Sequence, residues 1–522
     1  MRDVKLYDTT LRDGSQGEGI SLSVNDKIRI AKRLDSLGVH YIEGGWPGSN
    51  PKDAEFFKEI KNTKFRNSEI VAFGSTRRAK ISPSNDQNIK AFLKSGVKTV
   101  AIFGKTWDLH VSEVLNVSLE ENLSMIKDSV EHLKSKKMTV FYDAEHFFDA
   151  YISNKEYAME TLHAAKNGGC DAIILCDTNG GMVTYELGII TRSICNEFDV
   201  PIGIHTHNDS GMAVANSVAA VESGVNMVQG TINGYGERCG NADLCVIIPN
   251  LQLKMGYKCL KDSKLKELTE VSRYVSEISN MKQQDNQPFV GRSAFAHKGG
   301  VHVNAVMKNP RTYEHIEPAI VGNHRRILIS ELSGKTSIIL RAKEMELDLS
   351  KDDPKTRKIL KLIQNLENQG YYFEAADGSF EVLMKRALKK YKPYFTFQGF
   401  NVNIEKRLDN MLISEATIKL KVNKKIEHTV AEGDGPVNAL DNALRKALNK
   451  FYPTLSQMHL SDFKVRVLDE KAGTAAKVRV LIQSQDERSS WGTVGVSENI
   501  IEASWQALVD SVEYKLLKDK AK

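Results

Sequence analysis

Short apolar runs rich in β-branched residues alternate with helical patterns through the first 255 residues. Eight runs recur about every 30 residues, the length of one strand–helix unit: 4–10, 40–45, 69–74, 99–104, 139–146, 171–178, 201–207 and 227–234. The segments between them are amphipathic, as in the predicted helix 25–37, where Asn25 is a plausible N-cap and Gly38 ends the stripe. Eight such units predict a closed (β/α)8 TIM barrel. The alternative, a doubly wound open sheet, would scatter the polar residues along a crevice.

The polar residues of these runs favour the barrel. Each run is apolar until its last positions, and the reactive side chains come there or just beyond: Arg12, Asp13, Glu43, Ser75, Arg77, Lys105, Glu145, Thr178, His205, His207 and Asn233. Buried polar groups without partners cost free energy, yet a closed barrel would gather all of these at one rim. The carboxyl-terminal rim of such a barrel is where its active site lies.

Two histidines at the end of the seventh run predict a metal site. His205 and His207 are two positions apart on a strand, so both imidazoles point to the same side and can share one divalent cation. Oxygen-rich partner segments lie at 10–14 and 234–241, and the glycines of the second segment allow a close backbone approach. A hydrolytic or carbon-bond-forming metal enzyme follows from this set.

After residue 255 the pattern becomes mainly helical. A helical stripe over 265–278 is followed by a polar loop, a glycine- and histidine-rich segment at 293–302 and a charged helical region up to residue 390. The last 130 residues repeat a strand, a glycine turn and a helix, at 416–422, 428–437 and 438–448 and again at 477–482, 491–496 and 500–516. We therefore expect a barrel domain (1–280), a linker region (281–394) and a carboxyl-terminal α+β domain with an internal pseudo-repeat (395–522).

Composition narrows the class of protein. The 522 residues are 41% hydrophobic and 26% charged, as in a globular protein with large cores. The net charge of +6 comes from 72 basic and 66 acidic residues, a near balance that gives no indication of a nucleic-acid or membrane partner. Six cysteines without a CxxC pair, no signal-peptide pattern and no apolar stretch of about 18 residues predict a cytoplasmic protein.

Taken together, these motifs resemble the group of α-isopropylmalate, homocitrate and citramalate synthases, which are metal-dependent, acyl-CoA-condensing barrels. The resemblance runs from end to end, through the barrel, the segment 293–302 and the turn 433–437. Within the group, the segments 44–48 and 72–78 are most similar to long bacterial citramalate synthases. The resemblance implies condensation of acetyl-CoA with pyruvate and hydrolysis of the thioester, on a route toward isoleucine. Isopropylmalate or homocitrate synthesis, lyase chemistry of the hydroxymethylglutaryl-CoA type, biotin-dependent carboxyl transfer and an inactive effector-binding scaffold are the alternatives.

The resemblance also implies roles for individual residues. Asp13, His205, His207 and Asn241 would bind a divalent cation, with zinc, manganese and magnesium all open. Arg12 would stabilise the alkoxide, and Glu145 would either pair with Arg12 or transfer protons. The remaining implied roles are acid–base chemistry for His302 and contact with the substrate from outside the barrel for Tyr313. From its place at a strand end, the Thr178 hydroxyl is expected to hold the substrate carboxylate, and Arg77 or Arg78 to meet a carboxylate or a CoA phosphate, with solvated surface charge as the alternative for both arginines.

Assembly and regulation are implied in the same way. In relatives the segment after the barrel enters the active site of the neighbouring subunit, which implies a homodimer and leaves open whether His302 and Tyr313 act in cis. The carboxyl-terminal domain resembles a regulatory domain that binds an amino-acid effector, isoleucine for a citramalate producer. Its glycine turns at 433–435 and 492–495, with Gly433, Gly435 and Pro436, are the predicted effector site.

Overall fold

The computed structural model of the chain describes residues 2–61, 63–328, 354–373, 376–388, 391–406, 411–468, 476–487 and 489–520. The chain forms two compact units, one of Met1–Phe295 with Ile316–Arg325 and one of Ala296–His315 with Arg326–Lys522. The three-domain division with boundaries at 280 and 394 stays a prediction.

The first unit is a closed barrel of eight parallel strands in sequence order, which confirms the predicted fold and excludes the open sheet. Each predicted run corresponds to one strand: β1 Lys5–Asp8, β2 Tyr41–Gly45, β3 Glu69–Ser75, β4 Thr99–Lys105, β5 Thr139–Glu145, β6 Ala172–Asp177, β7 Ile202–Thr206 and β8 Met227–Gly230. Closure is made by β8 against β1, with Met227 opposite Lys5 and Gly230 opposite Asp8.

The helices of this unit surround the barrel. They are α1 Val24–Leu37, α2 Pro51–Ile60, α3 Gln87–Ser95, α4 Asp108–His110, α5 Leu119–Ser135, α6 Phe147–Ser153, α7 Lys155–Asn167, α8 Thr184–Glu197, α9 Ala213–Glu222, α10 Leu244–Pro249, α11 Asp262–Leu265 and α12 Leu268–Ile278. Helix α1 begins one residue earlier than predicted, because Ser23 rather than Asn25 is its N-cap and forms a capping box with Asp26. Gly38 ends the helix in the left-handed conformation (φ 104°).

The second unit contains a mainly helical part and a repeated sheet module. Two short parallel strands, β9 Ala296–His297 and β10 Arg326–Ile327, lie next to each other, and the helices are α13 Gly300–Lys308, α14 Pro354–Asn368 and α15 Asp377–Ala387. Among the described helices of the whole chain, none combines the length and the apolar character needed to cross a membrane.

The predicted pseudo-repeat is confirmed as two antiparallel three-stranded sheets, each followed by a helix. The first half consists of β11 Thr396–Lys406, β12 Leu412–Val422, β13 Lys425–Gly433 and α16 Pro436–Leu448. The second half consists of β14 His459–Val467, β15 Val478–Gln485, β16 Ser490–Ser497 and α17 Ile500–Lys520. On β12 every second residue from Ala416 to Val422 is buried, because one face of the sheet packs against α16.

The predicted glycine turn at 492–495 is wrong, because these residues lie inside strand β16. The glycine at 495 serves a close approach: a Cβ there would lie 2.0 Å from the Ala503 carbonyl oxygen of α17. A glycine inside a strand often marks such an approach rather than a turn. Only the first predicted turn, at the junction of β13 and α16, is present.

Candidate active site and metal centre

The loop after β1 and the end of β7 bring three candidate metal ligands together, Asp13, His205 and His207. Asp13 Oδ2 lies 3.5 Å from His205 Nε2 and 3.9 Å from His207 Nε2, and the two Nε2 atoms are 3.2 Å apart. One donor atom from each of the three residues lies within 4.8 Å of the others, and all three side chains are buried. This is the size of a site for a single cation.

Asn241, the fourth predicted ligand, joins this group. Its Nδ2 donates a hydrogen bond to Asp13 Oδ1 (2.9 Å), and its Oδ1 is buried without a hydrogen-bond partner among the described residues. A β-bridge between His207 and Asn241 fixes its position. The space for the amide depends on Gly236, where a Cβ would lie 2.1 Å from Asn241 Nδ2. A buried oxygen without a donor beside a carboxylate fits a bound cation.

The protonation states of the three residues also fit a cation. Burial lowers the pKa of His205 to about 3 and also lowers the pKa of His207, so both imidazoles are neutral near pH 7. Burial alone would raise the pKa of Asp13, but Arg12 and the two imidazoles outweigh it and hold this pKa well below its usual range. Two neutral nitrogen donors and one carboxylate are what a divalent cation requires.

Gln229 on β8 orients one imidazole and was missed by the sequence analysis. Its Oε1 lies 3.0 Å from His205 Nδ1, and its Nε2 donates to Asp143 Oδ1 at 3.4 Å. A donated Nδ1–H leaves Nε2 of His205 free to bind a cation, which is the usual way that a second residue fixes a ligand tautomer. The available signal in the sequence was an amide side chain within the otherwise apolar strand Met227–Gly230.

Arg12 is clamped beside the metal group. Its Nε donates to Glu43 Oε1 (2.5 Å), its Nη1 donates to Asp13 Oδ2 (3.0 Å), and its Cζ lies 3.8 Å from the centre of the Phe73 ring. Glu43 is fully buried and also accepts a hydrogen bond from Tyr7 Oη (2.6 Å). The guanidinium is therefore fixed on two edges and one face, and Nη2 has no hydrogen-bond partner among the described residues.

The expected pairing of Arg12 with Glu145 is wrong, because Glu43 takes this place. Glu145 instead forms an ion pair with Lys105, with Lys105 Nζ 2.5 Å from its Oε2. Lys105 and Glu145 are register partners at the ends of β4 and β5, which explains the contact. Glu145 remains a candidate for proton transfer.

These residues surround a cavity of about 230 Å³ at the carboxyl-terminal rim. Its lining consists of Arg12, Asp13, Gln16, Trp46, Phe73, Phe103, Asp143, Glu145, Cys176, Thr178, His205, His207, Glu237 and Arg238. Trp46, Phe73 and Phe103, here called the aromatic wall, have ring centres 5.3–5.9 Å apart. The cavity thus combines a charged side with an apolar one, as small-molecule sites do.

Asp143 is a second cavity residue that the sequence analysis missed. It lies two residues before Glu145 on β5 and so points to the same side of the strand. Burial, together with the charge of Glu43, raises the pKa of Asp143 to about 8. A carboxyl group that stays protonated at neutral pH can donate a hydrogen bond into the cavity.

Thr178 lines the cavity, whereas Arg77 does not belong to its lining. Thr178 Oγ1 accepts a hydrogen bond from the His146 amide (2.9 Å). Arg77 is only 6% exposed, and its guanidinium is paired with Glu121 (2.9 Å) and Asp128 (2.7 Å) on α5. These ion pairs favour a structural role for Arg77, and its substrate-binding role stays a prediction.

His302 and Tyr313 belong to the second unit, where their rings lie against each other. The ring centres are 4.3 Å apart with an angle of 32° between the planes, and Tyr313 is 48% exposed. Their predicted catalytic roles stay predictions.

The predicted effector residues lie where β13 meets α16. Gly433 ends β13, Gly435 is the N-cap of α16 and Pro436 is its first residue. A cavity of about 580 Å³ begins just after them and is lined by Val437, Asn438, Asp441, Arg445, Met458, His459, Leu460, Phe463 and Leu508. The three predicted residues are not part of this lining.

Three family models match consecutive parts of the chain. Residues 3–275 match the HMGL-like model, residues 289–370 match the homocitrate synthase post-HMGL domain-like model, and residues 374–516 match the LeuA allosteric (dimerisation) domain.

Curated relatives match along nearly the whole length. The chain is 58% identical over 518 residues to (R)-citramalate synthase of Geobacter sulfurreducens and 54% identical over 519 residues to (R)-citramalate synthase of Aquifex aeolicus, covering 99% of this chain and 98% of each relative. It is 33% identical over 520 residues to 2-isopropylmalate synthase of Methanocaldococcus jannaschii, covering 99% and 95%. The chain therefore belongs to the HMGL-like family and, within it, to the full-length group of proteins that are named (R)-citramalate synthase and 2-isopropylmalate synthase.

Proposed function

We propose that this protein is an (R)-citramalate synthase, which condenses acetyl-CoA with pyruvate and hydrolyses the thioester to give citramalate and CoA. The observation that carries the proposal is the clamped Arg12 beside the Asp13–histidine group in a cavity closed by the aromatic wall. The identity of 45–58% to five full-length relatives of that name supports it.

Asp13, His205, His207 and Asn241 would hold a divalent cation, with zinc, manganese and magnesium as the candidates. When bound, such a cation acts as a Lewis acid toward a 2-oxo acid. The fit of these residues to a metal ion rests on their donor atoms and on Asn241 Oδ1, which is buried without a hydrogen-bond partner among the described residues.

Arg12 would stabilise the negative charge that develops on the ketone oxygen when the new carbon–carbon bond forms. Its guanidinium is held by Glu43, Asp13 and Phe73 before any substrate binds, so no reorganisation is needed during the reaction. The unpartnered Nη2 is the donor that this role requires.

Glu145 would take part in the proton transfer that activates the methyl group of acetyl-CoA. It lines the cavity, and Lys105 holds its carboxylate from the neighbouring strand. His302 and Tyr313 would complete the site, and the exposed pair is suited to contact a bound acyl-CoA in the same or the neighbouring subunit of a homodimer.

The aromatic wall supports pyruvate over larger 2-oxo acids. Phe73 and Phe103 stack with ring centres 5.3 Å apart, and Trp46 closes against both, fixed by its Nε1–H donating to Asn88 Oδ1 (2.6 Å). A rigid wall of this kind would limit the space for the side chain of the 2-oxo acid and so favour a methyl group over an isopropyl group. Discrimination of this kind amounts to about 1–3 kcal/mol, or about 10- to 200-fold in kcat/KM.

We further propose that the 580 Å³ cavity beside α16 binds a branched-chain amino acid, isoleucine for a citramalate producer. Asp441 Oδ1 is buried without a hydrogen-bond partner among the described residues and suits an ammonium group. Arg445 is held by Asp441 and by the carbonyls of Leu455 and Met458, so its remaining nitrogen suits a carboxylate. Met458, Leu460, Phe463 and Leu508 supply an apolar lining for an aliphatic side chain.

Substrate profiling tests the activity. The purified enzyme is supplied with acetyl-CoA and, in turn, pyruvate, 2-oxobutyrate, 2-oxoisovalerate or 2-oxoglutarate, and free CoA and the product are measured. Pyruvate-selective release with citramalate as product is expected. Release only with 2-oxoisovalerate or 2-oxoglutarate would assign the protein to a sibling activity.

Two substitutions test the metal group. Asp13→Ala and His207→Ala should abolish turnover with the fold retained by circular dichroism, because one lost ligand damages the cation's geometry more than the barrel core. The control is His163→Ala, since His163 is a half-exposed histidine paired with Glu197 on the barrel surface. Full activity of both variants in the presence of a chelator would refute the metal role.

Isothermal titration with isoleucine, leucine and valine tests the effector cavity. Asp441→Asn should weaken amino-acid binding and inhibition without lowering uninhibited activity. Gly435→Ala is the matched probe of the originally predicted turn, because a Cβ there meets no atom within 4 Å. Loss of inhibition in Gly435→Ala and not in Asp441→Asn would return the effector site to the turn.

A further inference from the structure

We infer that Glu314 and His297 are positioning residues that hold the His302–Tyr313 ring pair in place. This role rests on the proposed function, in which the exposed His302–Tyr313 ring pair takes part in catalysis. Tyr313 is 48% exposed, so burial does not hold its ring against His302. The fixed position has to come from the backbone on either side.

Glu314 supplies the fixed point, because it follows Tyr313 directly and points inward. Its side chain is 2% exposed, and its Oε1 lies 3.0 Å from His297 Nε2. The amides of Tyr313 and Glu314 both donate to the carbonyl of Pro310, at 3.1 and 2.9 Å, which closes the turn that carries the tyrosine. The buried Glu314 carboxylate thus fixes the turn at the residue next to the exposed Tyr313 ring.

His297 connects this turn to a strand pair. It lies on β9, opposite Ile327 of β10, and its carbonyl accepts a hydrogen bond from the Leu328 amide (2.9 Å). Five residues later on the same segment, His302 lies in the first turn of α13. The 3.0 Å contact between His297 and Glu314 therefore joins the two stretches of backbone that present His302 and Tyr313.

A role in packing alone does not explain the choice of residues. Burying a carboxylate and an imidazole costs desolvation energy, and an apolar pair of similar volume would stabilise a core at least as well. A directional contact instead fixes the relative position of two segments, and small displacements of reacting groups lower rates steeply.

A double-mutant cycle on the full-length enzyme tests the inference. Glu314→Ala should lower kcat by about 10- to 100-fold with little change in the KM for pyruvate, because His297 Nε2 loses its partner. In a Tyr313→Phe background the same change should lower kcat by a smaller factor, because only His302 is left to be displaced. The control is Glu317→Ala, at an exposed glutamate three residues along, which should keep wild-type kcat.

A second pair of variants covers the case in which Glu314→Ala does not fold. His297→Ala should lower kcat as Glu314→Ala does, and His297→Gln should restore most of the rate, because its amide can still donate to Glu314. An equal fold-loss in both backgrounds, or wild-type kcat in a folded Glu314→Ala or His297→Ala enzyme, would overturn the positioning role alone. Wild-type kcat for Tyr313→Phe would instead remove Tyr313 from the proposed reaction, and the inference with it.

Discussion

Replacing Glu43 by glutamine tests whether the clamp on Arg12 sets the rate. The carboxylate accepts hydrogen bonds from Tyr7 Oη and Arg12 Nε at full burial. Glutamine has the same shape but carries no charge: its single oxygen can accept from Arg12 Nε while its NH2 group donates to Tyr7 Oη, which can turn to accept. The guanidinium then keeps only a neutral hydrogen bond in place of the charge-assisted one and is held less firmly.

The size of the effect follows from this loss. A buried hydrogen bond to a charged group contributes about 1.5–3 kcal/mol and a neutral one about 0.5–1.5 kcal/mol, so the expected decrease in the free energy of unfolding is about 1–2 kcal/mol. If about 2 kcal/mol of the transition-state stabilisation depends on the fixed guanidinium, kcat falls about 30-fold. The KM for pyruvate should change less, because the stabilised charge develops only in the transition state.

The assay is the initial rate of CoA release at saturating acetyl-CoA, pyruvate and metal, with urea unfolding in parallel. Glu69→Gln is the matched control, since Glu69 is also a strand glutamate and accepts from Thr99 Oγ1 (2.6 Å), but at the start of β3. A folded Glu43→Gln enzyme with kcat within about twofold of wild type would refute the reasoning.

Three further predictions concern other parts of the molecule. Gln229→Leu should weaken metal binding about 10- to 100-fold, because His205 loses the hydrogen-bond partner of its Nδ1. Activity is titrated against free metal, and an unchanged metal affinity would contradict this prediction. Phe103→Ala should raise kcat/KM for 2-oxoisovalerate relative to pyruvate by at least about tenfold, and an unchanged ratio would remove the aromatic wall from specificity. Burial raises the pKa of Glu513 to about 7 from its ordinary 4.5. Folded wild type therefore loses stability as the pH rises from about 5 to 8, and Glu513→Gln should gain up to about 3 kcal/mol relative to it over this range. The free energy of unfolding is measured in urea at both pH values, with the exposed Glu498→Gln as control. A difference between Glu513→Gln and wild type that does not change with pH would contradict the prediction.

The barrel and its rim were predictable because both follow from local pattern. Strand β7 is apolar up to His205, and two-residue alternation puts His207 on the same side. The oxygen-rich segments of Asp13 and Asn241 then had to meet these histidines, because parallel strands of a closed barrel end at one rim.

The partners of the site residues were not predictable, because they depend on register between strands. Sequence order makes Glu145 and Glu43 equally plausible partners for Arg12. Tyr7 opposite Tyr41 and Asp8 opposite Ile42 set the register of β1 and β2, and this register carries Glu43 to Arg12 and Tyr7 together. The register of the closed barrel therefore determines which glutamate pairs with Arg12, and position at a strand end alone does not.

The same reasoning explains why the proposed effector cavity lies a few residues away from the predicted turn. Glycine turns are visible in a sequence, so the junction at Gly433–Pro436 attracted the prediction. A cavity needs walls from several elements, and here they come from α16, the start of β14 and Leu508 of α17, which lie along the segment 437–508. Within α16, Asp441 and Arg445 are four residues apart and pair across one helical turn, which any helix with these residues would allow. In the packed structure Asp441 Oδ1 is buried without a hydrogen-bond partner among the described residues, and such an atom supports the proposed binding site in a way that periodicity alone cannot.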